Sequence, residues 1–439
     1  MLKVYQEVFN KLNEKKIEYV VYKSLNHLND DLNGNRGDID VLVDENFLSD
    51  FESILISLGL KKTIKNGFPI YYFGYDKEKA KSIMLDIDIK IRLGYKPYRP
   101  YYYKIEVRQL KKKFYNGIWI LDNIDYIPLM FFMRVTALSP KDNDLQELKE
   151  LLLEDEELQQ GYMSKNLENI LNQDWEQIKQ NILLAKNWNF LQEQYAKTII
   201  SHVNIDYKLL ILEKTKQIQF LFRKIQNKLM RPIPYRIRKD GYLIAFIGVD
   251  GAGKSSTIEY ILNMNYFKFT GIKRIYFGNN EYWIPGLLWG LKNINNNKVC
   301  NVFFALLTHM DKSLRSLIAY SYIKRGYIVV ADRFYYDDFI GMELNKNKLK
   351  DTNSFLKKIY RKILAPRIWI NPDCTIFLDV SPDVAYTRKQ DYSYEIMLKV
   401  NKAYKTYMNT VENVIKIDAD KEQKNVYTEV VASILALDE

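Results

Sequence analysis

The run YLIAFIGVDGAGKSST, residues 242–257, decides how the C-terminal half of this chain is read. Six apolar residues suit a buried strand, a glycine-rich turn follows, and STIEYILN then carries apolar residues at helical spacing. Gly248, Gly253, Lys254 and Ser255 satisfy G-x-x-x-x-G-K-[ST] in the strand–loop–helix context that this pattern requires. Glycines let backbone amides curl around phosphate oxygens, and the helix start adds the positive end of its dipole. Lys254 brings a point charge to the β- and γ-phosphates, and Ser255 offers a hydroxyl to Mg²⁺. The expected ligands are ATP and Mg²⁺.

Two later stretches extend the pattern. GYIVVADRFYYDD, 326–338, reads as an apolar strand that delivers Asp332 at its C-terminal end, where open α/β sheets place ligands. Asp332 there can hold Mg²⁺ or its waters, and Arg333 can clamp a phosphate with its planar fork. The competing use of such an acid is to cap the next helix. DCTIFLDVSPDVAYTRKQ, 373–390, reads as a strand, a Ser-Pro-Asp helix start and a helix running to Arg388 and Lys389. These cations either close over the transferring phosphoryl group or form an ordinary cationic helix end.

With these residues in view, 241–439 resembles the thymidylate kinase family. GVDGAGKSS at 248–256, ADRF at 331–334, FLDVSPDVAYTRK at 377–389 and VIKIDAD at 414–420 carry the resemblance, in the family's order. It implies a five-stranded parallel core, a nucleotide cradle of Gly248, Gly251, Gly253, Lys254, Ser255 and Ser256, and a mobile LID near 388–397. It also implies Asp250 near the acceptor's sugar or the metal, Arg333 on the acceptor phosphate, and Ala419 and Asp420 near adenine. This P-loop carries no arginine, so Arg388 and Lys389 would supply the transition-state charge. A homodimer through the kinase helices is implied as well. The chain departs from the family where acceptors bind. Gly278-Asn279-Asn280 stands in place of the Phe-x-Arg-Glu-Pro stretch, and HMDKSLR, with Asp311-Lys312 and Arg315, in place of a base-facing Asp-Arg pair. Thymidylate is thus a family default, and a sugar or polyol hydroxyl is the alternative acceptor, with Asp250 or Asp337 as its base. An ATP-binding regulatory module without turnover is the other alternative.

At the other end of the chain, GNRGDIDVLVDE, 34–45, sets Asp38 and Asp40 two residues apart on a strand, so both carboxylates share a face. A third acid comes from MLDIDIKIRL, 84–93, as Asp86 or Asp88. Three carboxylates on adjacent strands can hold a pair of divalent ions, the arrangement needed for in-line attack on a phosphate, and the set Asp38, Asp40, Asp86 is the candidate metal site. A solvated Asp-Ile-Asp without metal is the alternative. This stretch resembles the nucleotidyltransferase superfamily of DNA polymerase β over roughly 1–115. That family's Gly-Ser turn falls at Tyr22-Lys23-Ser24, where only the serine remains and Lys23 could substitute a charge for the missing backbone grip.

Composition bounds the rest. The 439 residues suffice for two or three domains: an α+β domain over 1–115, a helical region and linker over 116–232, and the doubly wound α/β domain over 241–439. Arg231-Pro232-Ile233-Pro234 reads as the break before the last of these. Net charge is +11, but the cations are spread along the chain, which favours handling of small phosphates over nucleic-acid binding. Helix 207–230 concentrates cations, so a peripheral membrane contact is the competing use of that face. Cys300 and Cys374 form no framework and no metal-ligand pair. MLKVYQEVFNKLNEKK reads as an amphipathic helix without the apolar core of a signal peptide, and no run is long enough for a membrane span. A cytoplasmic enzyme with a small-molecule phosphate or hydroxyl acceptor is the expectation.

Overall fold

The computed structural model describes residues 1–64, 69–93, 100–137, 140–154, 161–208, 210–211, 237–279, 281–293, 298–337, 340, 370–390 and 393–437. The chain divides into two units, Met1–Leu229 and Met230–Glu439. The basic stretch 212–230 and the proline linker 231–234 lie outside the described residues.

The strands of the first unit are β1 (Tyr19–Val21), β2 (Ile39–Val43), β3 (Lys61–Lys62), β4 (Ile70–Asp76), β5 (Lys81–Asp88), β6 (Ile91–Leu93), β7 (Tyr101–Tyr103), β8 (Lys112–Tyr115), β9 (Ile118–Leu121) and β10 (Asn204–Ile205). Seven form a mixed sheet in the order β3-β4-β5-β2-β1-β9-β8, and β10-β7-β6 form a second. Strand alternation sorts the central residues into two cores. Tyr19, Val21, Val41 and Val43 pack with Tyr5, Val8, Phe9 and Leu12 of the helix Lys3–Glu14 and with Phe51 and Leu55 of the helix Leu48–Ser57. Val20, Tyr22 and Leu42 point the other way, into one core with Phe131, Leu148, Leu167 and Ile178 from the helices that follow residue 122.

Two features differ from the sequence reading. MLDIDIKIRL is two strands in two sheets, β5 ending at Asp88 and β6 starting at Ile91, because both of its halves find apolar cover. The stretch KKFYNGIWIL, not singled out above, is a hairpin in which Asn116 (φ 49°) and Gly117 (φ 84°) make the two-residue turn. Positive φ at both positions is what lets the turn follow the strand twist.

The second unit is a five-stranded, all-parallel sheet ordered β12-β13-β11-β14-β15, as expected for a doubly wound fold. Its strands are β11 (Tyr242–Ile247), β12 (Ile272–Tyr276), β13 (Ile328–Asp332), β14 (Cys374–Asp379) and β15 (Val414–Asp418). All six residues of β11 are buried, as the central strand of such a sheet requires. The order reverses beside β11, so the ends of β11, β13 and β14 open a crevice at the switch point. Among the described residues no helix is long and apolar enough to cross a membrane.

One buried acid ties the helices of the first unit to its sheet. Asp125, fully inaccessible, accepts from the amides of Met163 and Lys111, both at 2.7 Å. Asp125→Ala would strand both donors. It is expected to lower the stability of this unit by about 3 kcal/mol, read as a shifted urea midpoint by circular dichroism; an unchanged midpoint contradicts the assignment.

Candidate active site and candidate metal centre

The P-loop leaves β11 at Gly248 and enters the helix Lys254–Asn263. The first intrahelical bond runs from the Thr257 amide to the Gly253 carbonyl at 3.0 Å. The amides of Lys254, Ser255 and Ser256 therefore have no acceptor within the helix. Gly251 (φ 89°) admits a close approach, since a Cβ there would strike the Ala385 carbonyl, and one at Gly248 would stand 2.9 Å from that of Leu378. The loop thus lies directly beneath the helix Pro382–Arg388. Lys254 is 7% exposed, and its ammonium donates to the carbonyls of Gly248 (2.6 Å) and Val249 (2.8 Å). The hydroxyl-bearing Ser255 and Ser256 are exposed at the helix start. Curled amides, a short-tethered cation and an exposed hydroxyl fit a polyphosphate with its magnesium.

Arg333 stands at the end of β13 with φ 64°, a left-handed backbone that costs a non-glycine residue about 1–2 kcal/mol. Its fork spans two acids, donating to Asp250 of the P-loop at 2.5 Å and to Asp337 at 3.1 Å. Charge-assisted bonds of about 1.5–3 kcal/mol each offset that strain. Tyr404, on the helix Tyr394–Met408, donates to the second oxygen of Asp337 at 2.9 Å. Burial pushes Asp337 up from the ordinary carboxylate range even though Arg333 opposes the shift. Gly278 walls the other side, since a Cβ there would lie 2.7 Å from Arg333 Cδ.

Asp332, 4% exposed, is engaged by Arg274 of β12. Arg388 is the last residue of the helix Pro382–Arg388. Its guanidinium donates to the Ala419 carbonyl at 3.1 Å, beside the loop expected at adenine. That loop is fixed by Asp420, which accepts from the Ser381 amide (2.9 Å) and hydroxyl (3.1 Å). Of the LID stretch 388–397, residues 391–392 lie outside the described residues.

Asp311 and Arg315, the departures noted on the long helix Lys298–Lys324, do not face a base. They pair one turn apart at 2.5 Å, 0% and 1% exposed as side chains. Asp311 accepts from the amides of Trp283 (2.7 Å) and Ile284 (2.9 Å), and Arg315 donates to the carbonyls of Glu281 (2.6 Å) and Tyr276. The pair staples the loop after β12 through main-chain groups. Asn280 of that loop lies outside the described residues. Sequence reading missed Tyr404 and Arg274: both act across distant parts of the chain, and no local pattern marks them.

In the first unit, Asp38, Asp40 and Asp86 bring carboxylate oxygens within 4.8 Å of one another. The parallel pairing of Asp40 with Asp86 across β2 and β5 does this. Asp86 is 5% exposed and its Oδ1 has no hydrogen-bond partner. Burial, then the charge of Asp40, pushes its carboxyl well above the ordinary range. A clustered all-oxygen donor set with an orphaned buried oxygen fits a hard cation such as Mg²⁺ or Mn²⁺. Asp88, the other acid left open above, instead accepts from the Tyr22 hydroxyl at 2.9 Å. Ser24 occupies the expected glycine turn in a left-handed conformation (φ 53°), and Lys23 beside it pairs with Asp40 at 2.7 Å.

Burial, with Arg333 adding its charge, pushes Lys254 down to about 8. A bound triphosphate raises that value again, so binding takes up a proton once the free amine has begun to deprotonate. Nucleotide affinity is expected to fall as pH rises from 8 toward the ordinary lysine value of about 10.4. Calorimetry in buffers of different ionisation enthalpy reads the proton uptake, and a flat affinity across that window contradicts the shift.

Residues 246–430 match the family model described as thymidylate kinase. The thymidylate kinase of Plasmodium falciparum (isolate 3D7) is 27% identical over 215 residues, covering 45% of this chain and 91% of that protein. A probable thymidylate kinase of Staphylothermus marinus is 24% identical over 217 residues, covering 45% and 96%. Among solved structures, Candida albicans thymidylate kinase is similar at 19% identity and TM-score 0.35, over 45% of this chain and 92% of that one. The deoxyadenosine kinase of M. mycoides with bound dATP is similar at 20% identity and TM-score 0.32, over 44% and 98%. The C-terminal domain is therefore a P-loop kinase domain of the thymidylate kinase type, carried within a longer chain.

Proposed function

We propose that the C-terminal domain transfers the γ-phosphoryl group of ATP to the phosphate of a nucleoside monophosphate, with thymidylate as the first acceptor to test. One observation carries the reading. At the ends of the adjacent parallel strands β11 and β13, Lys254 of the cradle and Arg333 are joined through Asp250, 3.9 Å from Lys254 and 2.5 Å from Arg333. Donor cradle and acceptor cation are thus one charged unit. The cradle amides and Lys254 hold the donor phosphates, Arg333 orients the acceptor, and Ser255 with Asp332 would hold the magnesium. The magnesium supplies neutralisation of the charge that spreads over the transferring group. A phosphate acceptor is already a nucleophile, so positioning and charge neutralisation suffice. Arg388, bound at Ala419, supports a role along the nucleobase loop.

A hydroxyl acceptor has one observation in its favour: Asp337, a partly buried carboxylate with a raised pKa, stands at Arg333. The homodimer implied by the resemblance has a surface available to it. Phe303, Leu306, Met310, Leu314 and Leu317 form a row along the long helix, between 43% and 60% exposed.

Lys254→Ala is expected to lose at least about a hundredfold in ATP-dependent transfer, followed as ADP release with dTMP, dUMP and sugar acceptors. Wild-type turnover in the variant would refute the site, and transfer to sugars alone would move the acceptor to a hydroxyl.

For the N-terminal unit we infer that Asp38, Asp40 and Asp86 hold a divalent cation and, with it, a nucleotide phosphate. Their clustered oxygens and the orphaned Asp86 Oδ1 support this. Asp38→Asn with Asp40→Asn is expected to remove one class of Mn²⁺ site in calorimetric titration, while Lys254→Ala leaves that class in place. An identical isotherm for the double variant would return the Asp-Ile-Asp to a solvated strand.

A further inference from the structure

The acidic cluster of the first unit contains a cation of its own. Lys23, two residues after β1, sets its ammonium 2.7 Å from Asp40 Oδ1 and 3.5 Å from Asp88 Oδ2. The Tyr22 hydroxyl donates to the same Asp88 oxygen at 2.9 Å, and the lysine lies over the Tyr22 ring, 4.4 Å from its centroid. Four carboxylates, Asp38, Asp40, Asp86 and Asp88, thus meet in one place. Asp40 is the hinge of the arrangement, since it belongs both to the triad and to the lysine pair. Asp86 and Asp88, both on β5, each keep one buried oxygen without a hydrogen-bond partner.

Charge decides how many ions such a cluster can take. Two divalent ions beside a fixed ammonium would leave four carboxylates overcompensated, with like charges at contact distance in a buried site. One divalent ion and the ammonium leave a single residual negative charge, which protein dipoles can hold. A two-ion clamp on attacking and leaving oxygens needs the ions about 3.5–4 Å apart, and Lys23 stands where the second would share Asp40.

We propose that Lys23 is the built-in counter-ion of this cluster: its ammonium holds the cation position between Asp40 and Asp88, so that Asp38, Asp40 and Asp86 take a single divalent cation. This rests on the metal reading of the triad above and narrows it. The N-terminal unit then offers one Mg²⁺ or Mn²⁺ for gripping a nucleotide's phosphates, with a lysine in place of the second ion.

The test counts Mn²⁺ on the full-length protein by calorimetry and by electron paramagnetic resonance of free Mn²⁺. The Asp38→Asn/Asp40→Asn variant is the blank, so that any ion at the P-loop subtracts out. Wild type should show one ion above the blank. Lys23→Met should show two, or one bound at least about tenfold tighter, while Lys23→Arg should behave as wild type. If wild type shows no ion above the blank, the metal reading fails and this inference fails with it. If wild type shows one and Lys23→Met the same one at the same affinity, or if wild type already shows two, the triad remains a metal site and only the role of Lys23 is overturned. Loss of the lysine leaves acids unpaired, so thermal midpoints in EDTA and in Mn²⁺ are read alongside. Lys23→Met should melt lower than wild type in EDTA and regain more on adding Mn²⁺. A variant that folds only with the ion supports the exchange of one cation for the other, and one that stays unfolded at saturating Mn²⁺ refutes it.

Discussion

The kinase domain is organised around one guanidinium. Arg333 holds Asp250 of the P-loop with one arm and Asp337 with the other, from a backbone conformation that a side chain rarely adopts. Three separate parts of the chain are fixed by it: the loop after β11, the turn after β13 and, through the Tyr404 hydroxyl on Asp337, the helix Tyr394–Met408. A planar fork with delocalised charge suits this task because it can satisfy two carboxylates at once. Its own burial disfavours the charge, yet the two acids outweigh that and raise its pKa above the ordinary value.

Lys254 and Lys23 show how surroundings set the chemistry of one residue type. Lys254 is enclosed with a second cation, Arg333, nearby and only carbonyl oxygens at bonding distance, so burial wins and its proton is held weakly. Lys23 is only partly buried, and the cost of that burial is overridden by Asp40, then Tyr22 and Asp88, so its proton is held more tightly than in water. The first is poised to gain from an incoming anion. The second already has its anions and contends with any cation that seeks them.

Where the family resemblance leads one to expect an arginine presented to the acceptor, Arg315 is turned into the protein, paired with Asp311 and stacked at 5.7 and 5.5 Å on the rings of Tyr282 and Trp283. A buried ion pair of this kind contributes little net stability against an apolar pair, but breaking one member would leave the other uncompensated. Its effect is to fix the loop after β12. Gly278 of that loop, having no side chain, lets it lie against Arg333.

Much of this was legible in the residues themselves. The strand–loop–helix order around Gly248 to Ser255, and the apolar strands ending in Asp332 and Asp379, follow from periodicity and glycine placement, both local properties. So does the pairing of Asp38 with Asp40 on one strand face. What tertiary structure decided are the contacts between residues far apart in sequence: Tyr404 with Asp337, Arg274 with Asp332, Arg388 with Ala419, and the choice of Asp86 over Asp88 for the triad. That last choice depends on strand register, which sets Asp40 beside Asp86 and Leu42 beside Asp88. Register is a property of the sheet as a whole, and no pattern within a single strand contains it.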